Sequence, residues 1–303
     1  MHSFGEERMA PANGIELAYQ EMGDPAGPAL VLIMGLATQM IAWDEEFCAL
    51  LAARGFRVIR FDNRDIGRST KIDEAGVPSR IDMLSGRRAT AAYLLRDMAR
   101  DTIGLMDQLE IDSAHVAGAS MGGMIAQQVA IEFPERTSSL VSIMSTTGSR
   151  WTGLPSFKAF GVLLGTPPMS REAVVERAVR TFRVIGSPGF PFDEQRVREL
   201  AGVSYDRGHS SAGVARQLHA IMASGDRTKD LRRLATPTTV IHGSGDSLVR
   251  PSGGRSTARA IPGARLRIIE GMGHDLPRQV WPEMVEEIVA NAERAADPAK
   301  APA

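Results

Sequence analysis

Ser113-Ala114-His115-Val116-Ala117-Gly118-Ala119-Ser120-Met121-Gly122-Gly123 holds the turn on which the fold reading depends. Ser113 to Gly118 reads as a strand, and Met121 to Glu132 as a helix stopped before Pro134. Between them Gly118-Ala119-Ser120-Met121-Gly122 matches G-x-S-x-G. Alone the pattern is weak, because Gly and Ser are common enough for chance to give roughly one match in ten chains of this length. At a strand-to-helix junction it describes a nucleophile elbow: a serine on a strained turn, its hydroxyl exposed above a sheet. Gly118 and Gly122 remove Cβ atoms where strand and helix backbones nearly touch. The structural alternative is a glycine-rich helix start capped by Ser120.

Working outward, short apolar runs alternate with longer amphipathic segments. Glu16 to Gln20 alternates, as an early antiparallel strand does. Ala29 to Met34 is continuously apolar, as a strand buried on both faces is. Trp43 to Arg54 reads as a helix, Phe56 to Phe61 as a strand, Thr90 to Leu109 as a long helix and Ser139 to Met144 as another strand. From Thr147 to Leu234 the rhythm breaks. That block has Pro-Gly punctuation (Thr166-Pro167-Pro168, Ser187-Pro188-Gly189) and helical stretches but no convincing strand. Strands resume at Thr238 to Ile241 and Ala264 to Ile269. A helix from Pro282 to Arg294 and an Ala/Pro/Lys-rich tail from Ala295, expected to fray, close the chain. Strand–helix alternation predicts an α/β fold with a mostly parallel sheet flanked by helices. Residues 1–146 and 235–303 would form its core, and 147–234 an inserted helical cap.

A serine hydroxyl needs a base to take its proton. Of six histidines, His2 is terminal, His115 lies within a strand, His209 and His219 fall in the cap block and His242 ends a strand. His274 sits in Gly271-Met272-Gly273-His274-Asp275, after the last strand. Parallel strands deliver their C-terminal ends to one edge, so this loop returns to the edge that holds Ser120. The alternative is a loop histidine capping the following helix. The acid is expected between serine and histidine in sequence. Asp246, in His242-Gly243-Ser244-Gly245-Asp246, meets that. It would accept the Nδ1 hydrogen of His274 and fix the productive tautomer. The preceding strand end, Ser142 to Thr146, offers no carboxylate. Asp275 adjoins the base, so its side chain should point elsewhere and serve the loop or the substrate side. Two backbone donors are expected for an oxyanion: the N–H of Met121, opening its helix, and that of Leu36.

These features resemble the α/β-hydrolase superfamily across essentially the whole chain. Asp62-Asn63-Arg64-Asp65-Ile66-Gly67-Arg68-Ser69 is similar to its D-x-R-G-x-G-x-S turn, with Asp65 where glycine is usual. Many relatives carry His-Gly where this chain has Met34-Gly35. Those stretches, with Gly118 to Gly123 and Gly273-His274-Asp275-Leu276-Pro277, resemble a narrower group that includes the aclacinomycin methylesterases and related bacterial carboxylesterases. The resemblance implies an eight-stranded sheet and carboxylic ester hydrolysis. It does not imply an anthracycline substrate, because the cap would choose the substrate. Lactonase, thioesterase, C–C hydrolase and cofactor-free perhydrolase chemistry use the same three side chains. Epoxide hydrolase and haloalkane dehalogenase need an aspartate where Ser120 stands. A non-catalytic binding protein on this scaffold also stays open.

Bulk properties narrow the partners. The formal net charge is −1, which gives no electrostatic reason to expect nucleic acid. No apolar run is long enough to span a bilayer. Met1 to Ala10 carries charge and lacks an apolar h-region, so no secretory signal is expected, and a cytoplasmic protein follows by default. The single cysteine, Cys48, cannot form an internal disulfide and reads as a small apolar filler. No metal-ligand spacing appears, and no metal or cofactor is expected. Gly245-Asp246-Ser247-Leu248 spells a GDSL motif, but it follows a late strand instead of standing near the N-terminus, so it is read as coincidence. The expected partner is a small, apolar ester; a homodimer is left open.

Overall fold

Strand β3 (Ala29–Ile33) is buried along its whole length and sits inside the sheet. The computed structural model of the chain describes residues 3–163 and 170–296. His2, Thr166-Pro167-Pro168 and the tail from residue 297 lie outside the described residues. Together with β1 (Arg8–Ala12), β2 (Ile15–Met22), β4 (Arg57–Phe61), β5 (Ala114–Ala119), β6 (Thr137–Ile143), β7 (Thr238–Gly243) and β8 (Arg265–Ile269), β3 builds one eight-stranded sheet ordered β1-β2-β4-β3-β5-β6-β7-β8. The pairs β1/β2 and β2/β4 are antiparallel, and all pairs from β4 to β8 are parallel. The sheet is thus mostly parallel, as the alternation predicts.

Strand β1 is an addition to the strands that the sequence pattern predicts. It forms a hairpin with β2 in which Ala12 faces Ile15 across Asn13-Gly14, both of which have positive φ. Asn-Gly between two strands is a strong hairpin signal. Pro11, which cannot donate to a ladder, is tolerated because β1 is an edge strand.

Alternate residues of β3 feed opposite sides of the sheet. Helices α1 (Glu45–Ala52) and α2 (Arg80–Ser85) precede α3 (Leu95–Gln108) and α4 (Met121–Glu132), and Val31 and Ile33 join a core with α3 and α4. Leu30 and Leu32 join a second core with α1 and the C-terminal helix, which spans Trp281–Ala296. Each fully buried Leu or Ile contributes roughly 1.5–3 kcal/mol. Helix α1 starts at Glu45 because the Asp44 carboxylate accepts the Glu46 N–H at 2.8 Å. Cys48 is buried within α1, and burial, opposed by the charge of Arg60, pushes its thiol up to about 12.

Between β6 and β7 lie α5 (Phe157–Leu163), α6 (Arg171–Ile185), α7 (Glu194–Gly208), α8 (Ser211–Ser224) and α9 (Thr228–Leu231), with no strand among the described residues. The chain then continues through α10 (Ser252–Ala260) to the closing helix, α11. Buried ion pairs join this helical block to the early half of the sheet. Arg207 at the end of α7 reaches the Asp62 carboxylate at 3.0 Å, and Arg216 of α8 reaches that of Asp65 at 2.6 Å. Asp65 has φ +72°, a backbone region where Asp is better tolerated than most residues. Its side chain accepts from Arg216, from the Tyr93 hydroxyl at 2.6 Å and from the Ile72 N–H at 2.9 Å. Those bonds explain an aspartate where glycine is usual.

Candidate active site

The site is assembled from the C-terminal ends of five parallel strands. β3 leads to Gly35 and Leu36, β5 to Ser120, β6 to Ser145, β7 to Asp246 and β8 to His274. Ser120 occupies φ +57°, ψ −119° at the start of α4, a strained conformation for a residue with a side chain. Its N–H donates to the Ile143 carbonyl at 2.9 Å, and its own carbonyl accepts from the Ser145 hydroxyl at 2.8 Å. The elbow needs its glycines. A Cβ on Gly118 would lie 2.1 Å from the Gly122 carbonyl oxygen, and one on Gly122 would lie 2.1 Å from that of Ile33. The chain therefore turns from strand to helix more tightly than any larger residue allows, and the turn pushes the serine side chain out.

The three side chains expected together are in contact. His274 Nε2 lies 2.9 Å from Ser120 Oγ, and His274 Nδ1 lies 2.8 Å from Asp246 Oδ2. The network fits the Nδ1–H tautomer, in which Nδ1 donates to the carboxylate and Nε2 accepts from the serine hydroxyl. Asp246 and His274 are buried, and Ser120 is half-buried. The other oxygen of Asp246 accepts the N–H groups of Leu248 and Val249, each at 2.9 Å. Burial alone would raise the Asp246 pKa. Electrostatic attraction from His274 and the hydrogen bonds of His242 and His274 outweigh it and hold the carboxyl at about 2.

His242, read only as the end of a strand, is a neighbour of this acid. Its Nε2 lies 2.7 Å from the Val249 carbonyl oxygen and 3.5 Å from Asp246 Oδ2. Its buried Nδ1 has no hydrogen-bond partner among the described residues. The spacing of four residues to Asp246 was visible in sequence, but a role for it was not.

The two segments expected to supply oxyanion donors both lie beside Ser120. Met121 is the first residue of α4, so its N–H is one of the orphan donors at a helix start. The Leu36 loop passes so close that a Cβ on Gly35 would lie 3.0 Å from Ser120 Cβ. Gly35 is needed there whether Met34 or a histidine precedes it. The Asn63 side chain donates to the Met34 carbonyl at 2.9 Å and ties this loop to the turn after β4.

The His274 loop is held from the helical block. The His274 N–H donates to the Ile185 carbonyl at 2.7 Å, and the Gly273 N–H to Ser187 Oγ at 2.8 Å. The Ser187 hydroxyl in turn donates to Asp275, so Asp275 serves the loop. Burial, partly offset by Ser187, raises the Asp275 pKa. A cavity of about 490 Å³ lined by Ala130, Pro134, Thr137 and Pro237 opens at the other end of the strands and shares no residue with this site. Among the described residues no group of three or more His, Cys, Asp or Glu is placed to hold a metal ion.

Comparison with known proteins identifies the family of the chain. Residues 28–277 match the family model described as the alpha/beta hydrolase fold. The chain belongs to the alpha/beta hydrolase family. Among curated members, it is 31% identical to a rhodomycin D methylesterase of Streptomyces sp. (strain C5), over 95% of this chain and 98% of that protein. It is 29% identical to 3-oxoadipate enol-lactonase 2 of Acinetobacter baylyi, over 86% of each chain. In fold it matches the 2-hydroxy-6-oxo-6-phenylhexa-2,4-dienoate hydrolase of a Rhodococcus strain, with TM-score 0.77 and 19% identity over 97% of this chain and 100% of that one. As in that family, the sheet is mostly parallel and flanked by helices. No helix among the described residues is long and apolar enough to cross a membrane.

Proposed function

We propose that this alpha/beta hydrolase cleaves a carboxylic ester through an acyl-enzyme, with Ser120 as nucleophile, His274 as general base and acid, and Asp246 as the group that orients His274. The observation that carries the reading is the unbroken contact from Ser120 Oγ through the His274 ring to Asp246. His274 Nε2 takes the hydroxyl proton as Oγ attacks the ester carbonyl. The resulting oxyanion is met by the N–H groups of Leu36 and Met121. The imidazolium, steadied by the ionised Asp246, returns its proton to the departing alcohol. Water then repeats the sequence on the acyl-enzyme and releases the acid.

The methylesterase relative supports a methyl ester as the first substrate to try, and the enol-lactonase relative supports lactone opening by the same steps. Residues 147–234 act as a cap that shapes the acyl and alcohol sites, a role supported by the contacts of Ile185 and Ser187 with the His274 loop. Ser120→Ala should abolish turnover of a p-nitrophenyl ester by the folded protein. Full activity in that variant would end the proposal.

A further inference from the structure

The loop expected to carry the Leu36 donor is a tight turn with an unusual backbone. The Thr38 N–H closes it on the Gly35 carbonyl at 3.3 Å, and Ala37, at its third position, has φ +60°. That is the left-handed region, which favours glycine, and alanine holds it only where something else fixes the chain. The fixing group comes from 180 residues away. The Ala37 N–H donates at 3.1 Å to the side-chain oxygen of Gln217, in helix α8. The amide end of Gln217 donates at 2.8 Å to the Arg64 carbonyl, in the turn after β4. The Gln217 side chain is fully buried and both its ends are used. On the other side of the loop, Asn63, the residue before Arg64, donates to Met34. The turn is thus clamped between the sheet and the helical block, next to the Leu36 N–H.

We infer that Gln217 is a positioning residue for the oxyanion site: α8 holds the Leu36 N–H in its aim through Ala37. The inference rests on the reading of Ser120 as the nucleophile and of Leu36 as an oxyanion donor. It gives the helical block a part in the chemistry as well as in substrate choice. The hydrogen bonds of the Gln217 side chain go to the Ala37 N–H and the Arg64 carbonyl, so its effect passes through the loop backbone. A donor that is displaced, not deleted, weakens charge stabilisation in the transition state more than it weakens substrate binding.

The test compares Gln217→Met, which keeps length and apolar bulk but loses both hydrogen bonds, with Gln217→Glu, which keeps an acceptor for the Ala37 N–H. Each is assayed on a p-nitrophenyl ester and with an aryl trifluoromethyl ketone. With that inhibitor the Ser120 Oγ forms a bond to the ketone carbon, the hydroxyl proton passes to His274, and the negative charge rests on the former ketone oxygen. Gln217→Met should lower kcat about tenfold to a hundredfold with KM changed less than about threefold. Its inhibition constant for the ketone should rise by the factor that kcat/KM falls. Gln217→Glu should recover most of both. If Gln217 only anchors the helical block, Gln217→Met will lower Tm and raise KM while kcat and ketone affinity stay at the parent values, and the inference fails. It fails too if the two variants are equally impaired. Ser120→Ala separates the two levels: activity in that variant overturns the catalytic reading itself. An inert Ser120→Ala beside a Gln217→Met of parental kcat overturns this inference alone.

Discussion

Asp246→Asn replaces one oxygen by an NH₂ group and should nearly silence the enzyme without unfolding it. The surroundings dictate how the new side chain sits. Asp246 Oδ1 accepts two backbone N–H groups, from Leu248 and Val249, so the remaining oxygen of asparagine must stay there. The NH₂ group then takes the Oδ2 position, 2.8 Å from His274 Nδ1. A donor facing Nδ1 forces the imidazole proton onto Nε2, which points at Ser120 Oγ. In that tautomer Nε2 cannot take the serine proton. The loss expected is about 10⁴ in kcat, or about 5.4 kcal/mol in the barrier. Near neutral pH the variant should be less stable than the parent, because asparagine lacks the charge that the fold favours at this position, although the bonds to Oδ1 survive; the gap should close as pH falls towards 2. A carboxyl held at about 2 in the fold adds stability above the ordinary value of 3.8, and that stability is lost as pH falls towards 2. Asparagine has no such dependence. The assay is kcat/KM on a p-nitrophenyl ester, with ¹H NMR of the imidazole Nδ1 proton, which should vanish in the variant. Activity within tenfold of the parent, from a folded variant, would refute the tautomer reasoning.

Two further outcomes concern stability. Asp65→Gly relieves the positive φ but leaves Arg216 without its buried partner and the Tyr93 hydroxyl without its acceptor. The variant should be less stable by about 2–4 kcal/mol in urea melts, and a gain in stability would contradict the account of why aspartate stands there. His115 lies against Ser139 Oγ at 2.9 Å and edge-on to Phe56, and burial lowers its pKa to about 4. Because the fold holds it neutral, its contribution is full above the unfolded value of 6.5 and is lost as pH falls from there towards 4. His115→Phe should flatten that part of the stability–pH curve, and an unchanged slope would show that His115 is charged in the fold.

The strand ends were legible because they carry local chemistry: glycines that must be glycine at 118 and 122, and polar residues directly after apolar runs. The order Ser120, Asp246, His274 was enough to bring three distant residues to one edge of the sheet once the strands were taken as parallel. Element boundaries were less legible. The helix expected from Thr90 begins at Leu95, where the Asp97 carboxylate accepts the Leu94 N–H at 2.8 Å. A helix-forming composition does not reveal which carboxylate turns back to cap it. Strand β1 was missed because Pro11 and an exposed Met9 obscure its pattern, although Asn13-Gly14 announced the hairpin. The supporting residues were the hardest to see. Gln217 is one glutamine in one helix, and its contact with Ala37 depends on how α8 docks on the sheet, which no local pattern encodes. His242 stood four residues before Asp246 in plain view, but only the curl of the loop brings its ring to the carboxylate.

The central claim is that Ser120 is an activated nucleophile, and covalent labelling tests it most directly. A fluorophosphonate reacted with the folded protein at neutral pH should add one equivalent, found by peptide mass spectrometry on Ser120. The labelling should be absent in Ser120→Ala and strongly slowed in His274→Ala. A protein that stays unlabelled, or that carries the label on another residue in an active preparation, would contradict the account.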